Sequence, residues 1–166
     1  MASINTITIT LTLRYGPRMA SPLFASVQKG HVGATRLLLD GGADPDTTRH
    51  GLPVLYMSCI RSNISIVADL LEAEADPNIE DSEGRTPLCG AASQDDGGEA
   101  VRLLLRYKAA VDKTGRGGAT PLHHTVSNAN TEVARTLIEE GGANLDQISA
   151  EGVPVLLHAA GSGKQH

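Results

Sequence analysis

The stretch GATPLHHTV, residues 118–126, decides the fold because related stretches recur along the whole chain. Thr120 is a good N-cap residue, since its hydroxyl can accept a hydrogen bond from a backbone amide in the first turn of a helix. Pro121 suits the first helical position, where its missing N–H group has no partner to lose. The motif therefore predicts a helix that begins at Pro121.

Four other motifs, SPLF, PVLY, TPLC and PVLL, align with the TPLH of this stretch. The alignment places five leucines in one column, 32, 33, 34 and 34 residues apart: Leu23, Leu55, Leu88, Leu122 and Leu156. In chain order, each of the first four motifs, from SPLF to TPLH, is followed by a second apolar cluster. An exit rich in Gly, Ala, Asp and Asn then follows, such as GGADPD or GGANLD. A period of this length indicates stacked helical units, each of which is stable only against its neighbours.

The repeating unit resembles the ankyrin repeat, most closely in GATPLHHTV, GRTPLCGAA and KGHVGATRLLLDGGADPD. The resemblance covers residues 19–163 and implies an all-α repeat solenoid, a stack of helix–turn–helix units joined by β-hairpin fingers. We expect four full units and a partial fifth, with a disordered or loosely attached tail before them and a short tail after them. The approximate boundaries are 1–18 for the first tail, 19–47, 48–80, 81–114, 115–148 and 149–163 for the units, and 164–166 for the last tail.

The two ends of the chain leave alternatives open. Residues 1–18 are rich in Ser and Thr and contain two arginines and no acid, so they also resemble a mitochondrial transit peptide. Met19 is an alternative start. The sequence ends just after the first helix of unit five, which indicates either a natural truncation or one piece of a longer array.

The second helix of each unit carries apolar residues at i, i+3 and i+4, which predicts one buried face. The predicted stripes are Ala34/Leu37/Leu38, Val67/Leu70/Leu71, Ala100/Leu103/Leu104 and Ala134/Leu137/Ile138. Gly42 and Gly142 are expected to supply the left-handed residue that ends a helix, whereas Glu74 and Lys108 replace glycine in the middle units. The segment SQDDGGE, residues 93–99, has one extra residue and is predicted to bulge outward.

The adjacent histidines of the opening motif are interpreted separately. In the predicted helix the His123 side chain folds back toward Thr120, and the resemblance implies that it braces the hairpin and helix start of adjoining units by hydrogen bonding. His124 lies in the next column, which in ankyrin-like arrays lines the concave groove where partners dock; a merely solvated polar residue is the alternative. His124 and His158 lack the third and fourth ligands that zinc requires, so we predict no metal site and no cofactor.

The leading hypothesis is a non-catalytic protein-interaction module, acting as an adaptor, scaffold or regulatory binder through the concave groove and the finger tips. Met57 and Ile60 are expected to form the apolar centre. The groove contacts expected are Met57, Ile60, Arg61, Gln94, His124, Asn128 and His158, and those on the finger rim are Glu80, Glu83, Arg85, Lys113 and Arg116. Acidic and basic finger tips would steer a partner with the complementary order of charge; ordinary solvated turn charge is the alternative.

Two other classes of function stay open. One is an auxiliary enzyme or small-molecule binder in a biosynthetic pathway, which would use the groove around His124 and His158 and would need a deep, enclosed pocket with a perturbed titratable group. The other is a fragment of a multidomain protein whose catalytic part lies elsewhere. No serine is set up with a base, and GSGK at 161–164 lacks the spacing of a phosphate-binding loop. We therefore assign no catalytic residue and predict that the chain is not an enzyme.

Composition restricts the partner and the compartment. Beyond residue 39 the chain holds ten basic against nineteen acidic residues, which argues against a nucleic-acid footprint. Cys59 and Cys89 show neither zinc nor disulfide spacing, and no apolar run is long enough to cross a membrane. We expect a monomer in the cytoplasm or nucleus that binds another protein, without nucleic acid and without a membrane.

Overall fold

Each repeat of the sequence forms a pair of helices. The computed structural model describes residues 21–115 and 117–148, together with Gly152 and Pro154. We call the first helix of a unit its inner helix and the second its outer helix. The inner helices are α1 (Pro22–Gln28), α3 (Val54–Ile60), α5 (Pro87–Ala92) and α7 (Pro121–Ser127), and the outer helices are α2 (Val32–Asp40), α4 (Ile64–Glu72), α6 (Gly98–Arg106) and α8 (Thr131–Glu139).

The starts of α5 and α7 are fixed by local sequence, as predicted. The hydroxyl of Thr86 accepts a hydrogen bond from the amide of Cys89 at 3.4 Å, and that of Thr120 accepts one from the amide of His123, also at 3.4 Å. The amide of Thr120 in turn donates to Nδ1 of His123 at 3.2 Å. In this reciprocal capping box His123 braces the start of its own helix, and the predicted bracing of adjoining units stays a prediction.

Neighbouring units stack through equivalent helices. Each inner helix packs on the next inner helix, each outer helix on the next outer helix, and the two helices of one unit on each other. The leucine column lies inside this stack, where Leu23, Leu55, Leu88 and Leu122 are at most 2% exposed. Leu156 lies outside the described residues. The predicted helix–turn–helix solenoid is therefore confirmed, with a core built from contacts between adjacent units.

The predicted apolar stripe is right in α4 and wrong in α2. Val67, Leu70 and Leu71 are all buried. In α2, Leu37 is 68% exposed because the described residues place α4 on one side of this helix and nothing on the other. Ala34 is exposed as well, and only Thr35 is fully buried in this helix.

The exit turn after α8 is one residue longer than the exit turn after α6, which changes which residues of α8 are buried. In α6, the amide of Ala109 donates back to Leu104, whereas in α8 the amide of Ala143 donates back to Leu137, one residue further. The extra residue shifts the buried positions of α8 to Val133, Thr136 and Leu137. Ile138, which was predicted to be buried, is 39% exposed, and Leu103 and Ala134 are half-buried.

Helix exits use a left-handed residue in all four units, whether or not it is glycine. Gly42 and Gly142 have φ of +83° and +68°, as predicted, and Glu74 and Lys108 both adopt +66°. The segment at 93–99 does not simply bulge outward. Asp95 and Asp96 are exposed there, but Gly97 is buried against α5.

Backbone-to-side-chain bonds join each exit to the next. Oδ1 of Asp46 accepts from the amide of Asp76 at 2.8 Å. Oδ1 of Asn78 accepts from Ala110 at 2.6 Å, and Oδ1 of Asp112 accepts from Asn144 at 3.0 Å. Since at least one such bond crosses each junction between neighbouring units, these exits help to hold the spacing of the stack.

The fingers connect an outer helix to the next inner helix. The first finger contains a two-stranded antiparallel hairpin, β1 (Thr48–Arg49) and β2 (Leu52–Pro53), whose turn residues His50 and Gly51 have φ of +52° and +73°. Positive φ at both turn residues is the geometry that two-residue hairpins favour. The predicted tail at 1–18 and the partial unit at 149–163 fall almost wholly outside the described residues and stay predictions.

Candidate functional site

An open groove runs between the first finger and the inner helices α1 and α3. Its volume is about 380 Å³, and it is lined by Phe24, Gln28, Arg49, His50, Leu52, Met57, Ile60 and Arg61. We use "the groove" for these eight residues. Three of the predicted contact residues, Met57, Ile60 and Arg61, are brought together here. In units one and two, the inner helices and the first finger thus share one open surface.

The predicted apolar centre of the groove needs a correction. Met57 is only 3% exposed and belongs to the hydrophobic core, so it borders the floor of the groove with little surface of its own. Ile60 is half-buried and Arg61 is exposed. The accessible apolar surface therefore centres on Ile60, and a charged substitution at Met57 would damage the fold rather than probe the surface.

Gln94 and Asn128 lie further along the same side, where the side chain of Asn128 joins unit four to unit three and that of Gln94 bonds within its own unit. The side-chain amide of Gln94 donates to the hydroxyl of Ser93 at 2.8 Å, and that of Asn128 donates to the Ser93 carbonyl at 2.8 Å. Asn128 is exposed and Gln94 half-buried. Their partly used hydrogen-bonding groups leave the surface near α5 and α7 more polar than the groove.

His124 lies at a second cavity, of about 260 Å³, beside the fingers. Glu83, Arg85, Gly115, Gly117, Ala119 and His124 line it. Burial lowers the pKa of His124, and the nearby His123 and Arg85 lower it further. His124 is therefore neutral at neutral pH. The cavity opens to the surface, unlike the enclosed pocket that the small-molecule alternative requires. The lowered pKa of His124 is the kind of perturbation that this alternative expects.

Arg85 is held rigidly on the finger rim. Its Nε donates to Oδ2 of Asp81 at 2.8 Å, and its Nη2 lies 2.6 Å from the same oxygen. The guanidinium also stacks 5.3 Å from the ring centroid of Tyr56, a cation–π contact. Arg85 is thus a fixed positive group between the second finger and α3.

Asp81 was identified from sequence only as one of the charges of the second finger (residues 76–85) and not as an expected contact, yet it organises this finger. Its Oδ1 accepts from the amides of Glu83 and Arg85 at 2.9 and 2.8 Å. Burial opposes its ionisation, but the hydrogen bonds from Arg85 and these amides outweigh that effect and lower the pKa of Asp81. The sequence D-x-x-G-R at 81–85 carried the signal, since Asp often bonds the backbone two residues on in such turns.

The remaining rim residues are a bonded pair, one acid without an ion pair among the described residues, and one residue that the structure does not describe. Nζ of Lys113 lies 2.8 Å from Oε1 of Glu80 and donates to the Asn78 carbonyl at 3.2 Å. One acidic and one basic residue of the adjacent finger tips are therefore paired with each other, and steering of a partner by these tips stays a prediction. Glu83 is exposed. Arg116, like His158 of the groove prediction, lies outside the described residues.

Neither described cysteine is available as a nucleophile at neutral pH. Burial raises the pKa of the Cys59 thiol to about 12 and also raises the pKa of Cys89, so neither forms the thiolate that a nucleophile needs. Across 21–115 and 117–148, no group of three or more His, Cys, Asp or Glu side chains is arranged to hold a metal ion. No helix in the same part of the chain is long and apolar enough to span a bilayer.

A stack of short helix pairs with inner helices and fingers on one open face defines a repeat solenoid. The sequence model of ankyrin repeats matches three copies, at residues 2–81, 57–149 and 88–165. The chain belongs to the ankyrin-repeat family, whose members generally serve as protein-interaction modules.

Three relatives illustrate how widely this unit is used. The chain is 35% identical over 149 residues to the palmitoyltransferase AKR1 of Lachancea kluyveri, covering 87% of this chain and 20% of that protein. It is 32% identical to human ankyrin repeat and SOCS box protein 18, with coverage of 93% and 33%. It is 34% identical to human neurogenic locus notch homolog protein 4, with coverage of 74% and 7%. The chain thus spans a third or less of these relatives, and the similarity to the transferase lies in its ankyrin repeats.

Proposed function

We propose that this chain is a non-catalytic protein-interaction module that holds a partner protein in the groove and against the finger rim. The observation that carries the proposal is the groove itself, where the half-buried Ile60 lies between two cationic side chains, the half-buried Arg49 on the hairpin and the exposed Arg61 at the end of α3. A binding surface of this kind gains most of its affinity from a few anchors surrounded by polar contacts. We further propose that the chain acts as a monomer in the cytoplasm or nucleus, without nucleic acid.

The rim extends this surface along the stack. Arg85 is fixed by Asp81 and Tyr56, so it would lose little side-chain freedom on contact with a partner. His124 and Asn128 lie on the same side, beyond the second finger. The partner is accordingly proposed to run along the inner helices from unit one toward unit four.

The experiment is affinity capture from native lysate with three forms of the chain. The wild type is compared with the groove variant Ile60→Asp/Arg61→Glu and with Leu37→Asp, a matched apolar-to-acid control on the outer helix α2. We expect the groove variant to lose proteins that the wild type and Leu37→Asp both retain. If all three forms retain the same proteins, the proposal fails. Circular dichroism checks that each variant is folded.

A further inference from the structure

Charge is segregated between the two sides of units one and two. None of the eight residues of the groove carries a carboxylate, and two of them are arginines, Arg49 and Arg61. On the outer helices, a cavity of about 320 Å³ is lined by three carboxylates, Asp40, Asp69 and Glu72, with Arg36. A chain of net charge −5 therefore keeps a locally basic surface in the groove.

The cations of the groove are not neutralised by the chain itself. Within the described residues, neither Arg49 nor Arg61 has a carboxylate oxygen within 4 Å, and the same holds for Lys29, which occupies the place of Arg61 in unit one. The guanidinium of Arg49 lies 5.8 Å from the ring centroid of Phe24, which positions it at the edge of the groove. The carboxylate of Asp96, in the turn after α5, accepts a hydrogen bond from the hydroxyl of Ser62, the residue after Arg61.

An apolar floor lies between these cations. Phe24 and Met57 are buried at its base, and Leu52 and Ile60 are half-buried and form its open part. An apolar side chain seated here would cover Leu52 and Ile60, while groups flanking it would meet Arg49 on the finger and Arg61 at the end of α3. The matching charge for those positions is negative.

We propose that the groove binds an acidic segment of a partner protein, with one apolar side chain on the Leu52–Ile60 floor and flanking carboxylates against Arg49 and Arg61. This inference rests on the proposed function and names the chemistry of its partner. Elsewhere the net negative charge of the chain repels such a segment, so the groove is where it is steered. Binding is then expected to weaken as salt screens the charges.

The test uses random peptides displayed on phage and selected against the wild-type chain. The enriched peptides are synthesised, and their affinity is measured by fluorescence anisotropy at low and high salt. The charge-reversal variant Arg49→Glu/Arg61→Glu is compared with a control, Arg106→Glu/Lys108→Glu. The control makes the same change of charge at two exposed cations at the end of α6, and these also have no ion pair among the described residues. Thermal unfolding confirms that both variants are folded.

The expected result is enrichment of peptides in which Asp or Glu flanks an apolar residue. Their affinity should fall by about tenfold or more for the charge-reversal variant Arg49→Glu/Arg61→Glu and by less than about twofold for the control, because only the charge-reversal variant loses close contacts. Enrichment of neutral or basic peptides, or an equal loss in the two variants, would overturn the inference. The inference would also be overturned if a second copy of the chain filled the groove, which would appear as a molecular mass in solution that rises with protein concentration.

The two proposals fail in distinguishable ways. Peptides that carry no acidic residue and no longer bind the Ile60→Asp variant would refute the proposal of an acidic partner but would leave the groove as the binding site. Peptides that bind Ile60→Asp as tightly as the wild type would overturn the groove as well.

Discussion

Glu74 and Lys108 hold left-handed backbone at helix exits, so replacing either with glycine is expected to stabilise the chain. Both have φ of +66°. After α4, the amides of Glu74 and Ala75 donate to carbonyls in the last turn of the helix at 3.1 and 3.0 Å. Gly42 occupies the same place after α2, with φ of +83°, which shows that glycine fits this exit.

The magnitude follows from two opposing effects. Left-handed backbone costs a residue with a side chain about 1–2 kcal/mol, and glycine removes this cost. Glycine also makes the unfolded chain more flexible, which lowers the free energy of unfolding by about 0.4–1 kcal/mol. Neither side chain makes a hydrogen bond or ion pair in the described structure, so no contact is lost. The helix dipole disfavours an acid and favours a base at a helix C-terminus by about 0.3 kcal/mol or more. We expect gains of about 1 kcal/mol for Glu74→Gly and about 0.5 kcal/mol for Lys108→Gly.

The assay is urea unfolding followed by far-UV circular dichroism, with thermal unfolding as a second measurement. Each kcal/mol should raise the midpoint temperature by about 2–4 °C. Glu74→Ala and Lys108→Ala keep the Cβ atom and are expected to stay within about 0.5 kcal/mol of the wild type. If Glu74→Ala stabilises as much as Glu74→Gly, or if the glycine variants are less stable than the wild type, the backbone argument is refuted.

Three further predictions concern the stack and the site. Asp112→Ala removes the bond from the amide of Asn144 at 3.0 Å and should lower the free energy of unfolding by about 1 kcal/mol in urea titration. Gly97→Ala would place a Cβ atom 1.9 Å from the Ala91 carbonyl oxygen and should cost about 2 kcal/mol or more, seen as a lower midpoint temperature. Burial lowers the pKa of His124 from 6.5, so the unfolded chain takes up a proton first and the free energy of unfolding should fall as pH drops below 6.5. Unfolding at a series of pH values should show this dependence weakened in His124→Asn.

Matched variants separate these effects from general damage. Asp112→Asn keeps the acceptor oxygen and should remain near the wild type. Gly98→Ala is the control for Gly97→Ala, because its Cβ atom would lie 3.9 Å from the Val133 side chain, an ordinary contact. Equal losses in the two glycine variants would contradict the packing argument, and an unchanged pH dependence in His124→Asn would contradict the burial argument.

Features governed by local sequence were predictable. The capping threonine Thr120 and its partner His123 lie three residues apart, so a single motif specifies both. The left-handed exits at Gly42 and Gly142 were predicted for the same reason. What these features share is that no distant residue is needed to make them.

Features that depend on neighbouring units were predicted less well. Met57 was expected to form the open apolar centre, but packing of α3 against its neighbours buries it. Leu37 and Ile138 repeat the apolar pattern of buried residues, yet one lacks a neighbouring unit in the described structure and the other is displaced by one residue in α8. The pairing of Lys113 with Glu80 joins residues 33 positions apart, and a single sequence carries no signal for it.

The central claim is that a partner lies in the groove, and hydrogen exchange of the chain bound to a captured partner tests it most directly. The amides of α1, of the β1–β2 hairpin and of α3 should exchange more slowly in the complex than in the free chain, while those of α2 and α4 should be unchanged. Protection confined to the outer helices, with the hairpin and the inner helices unchanged, would contradict the account.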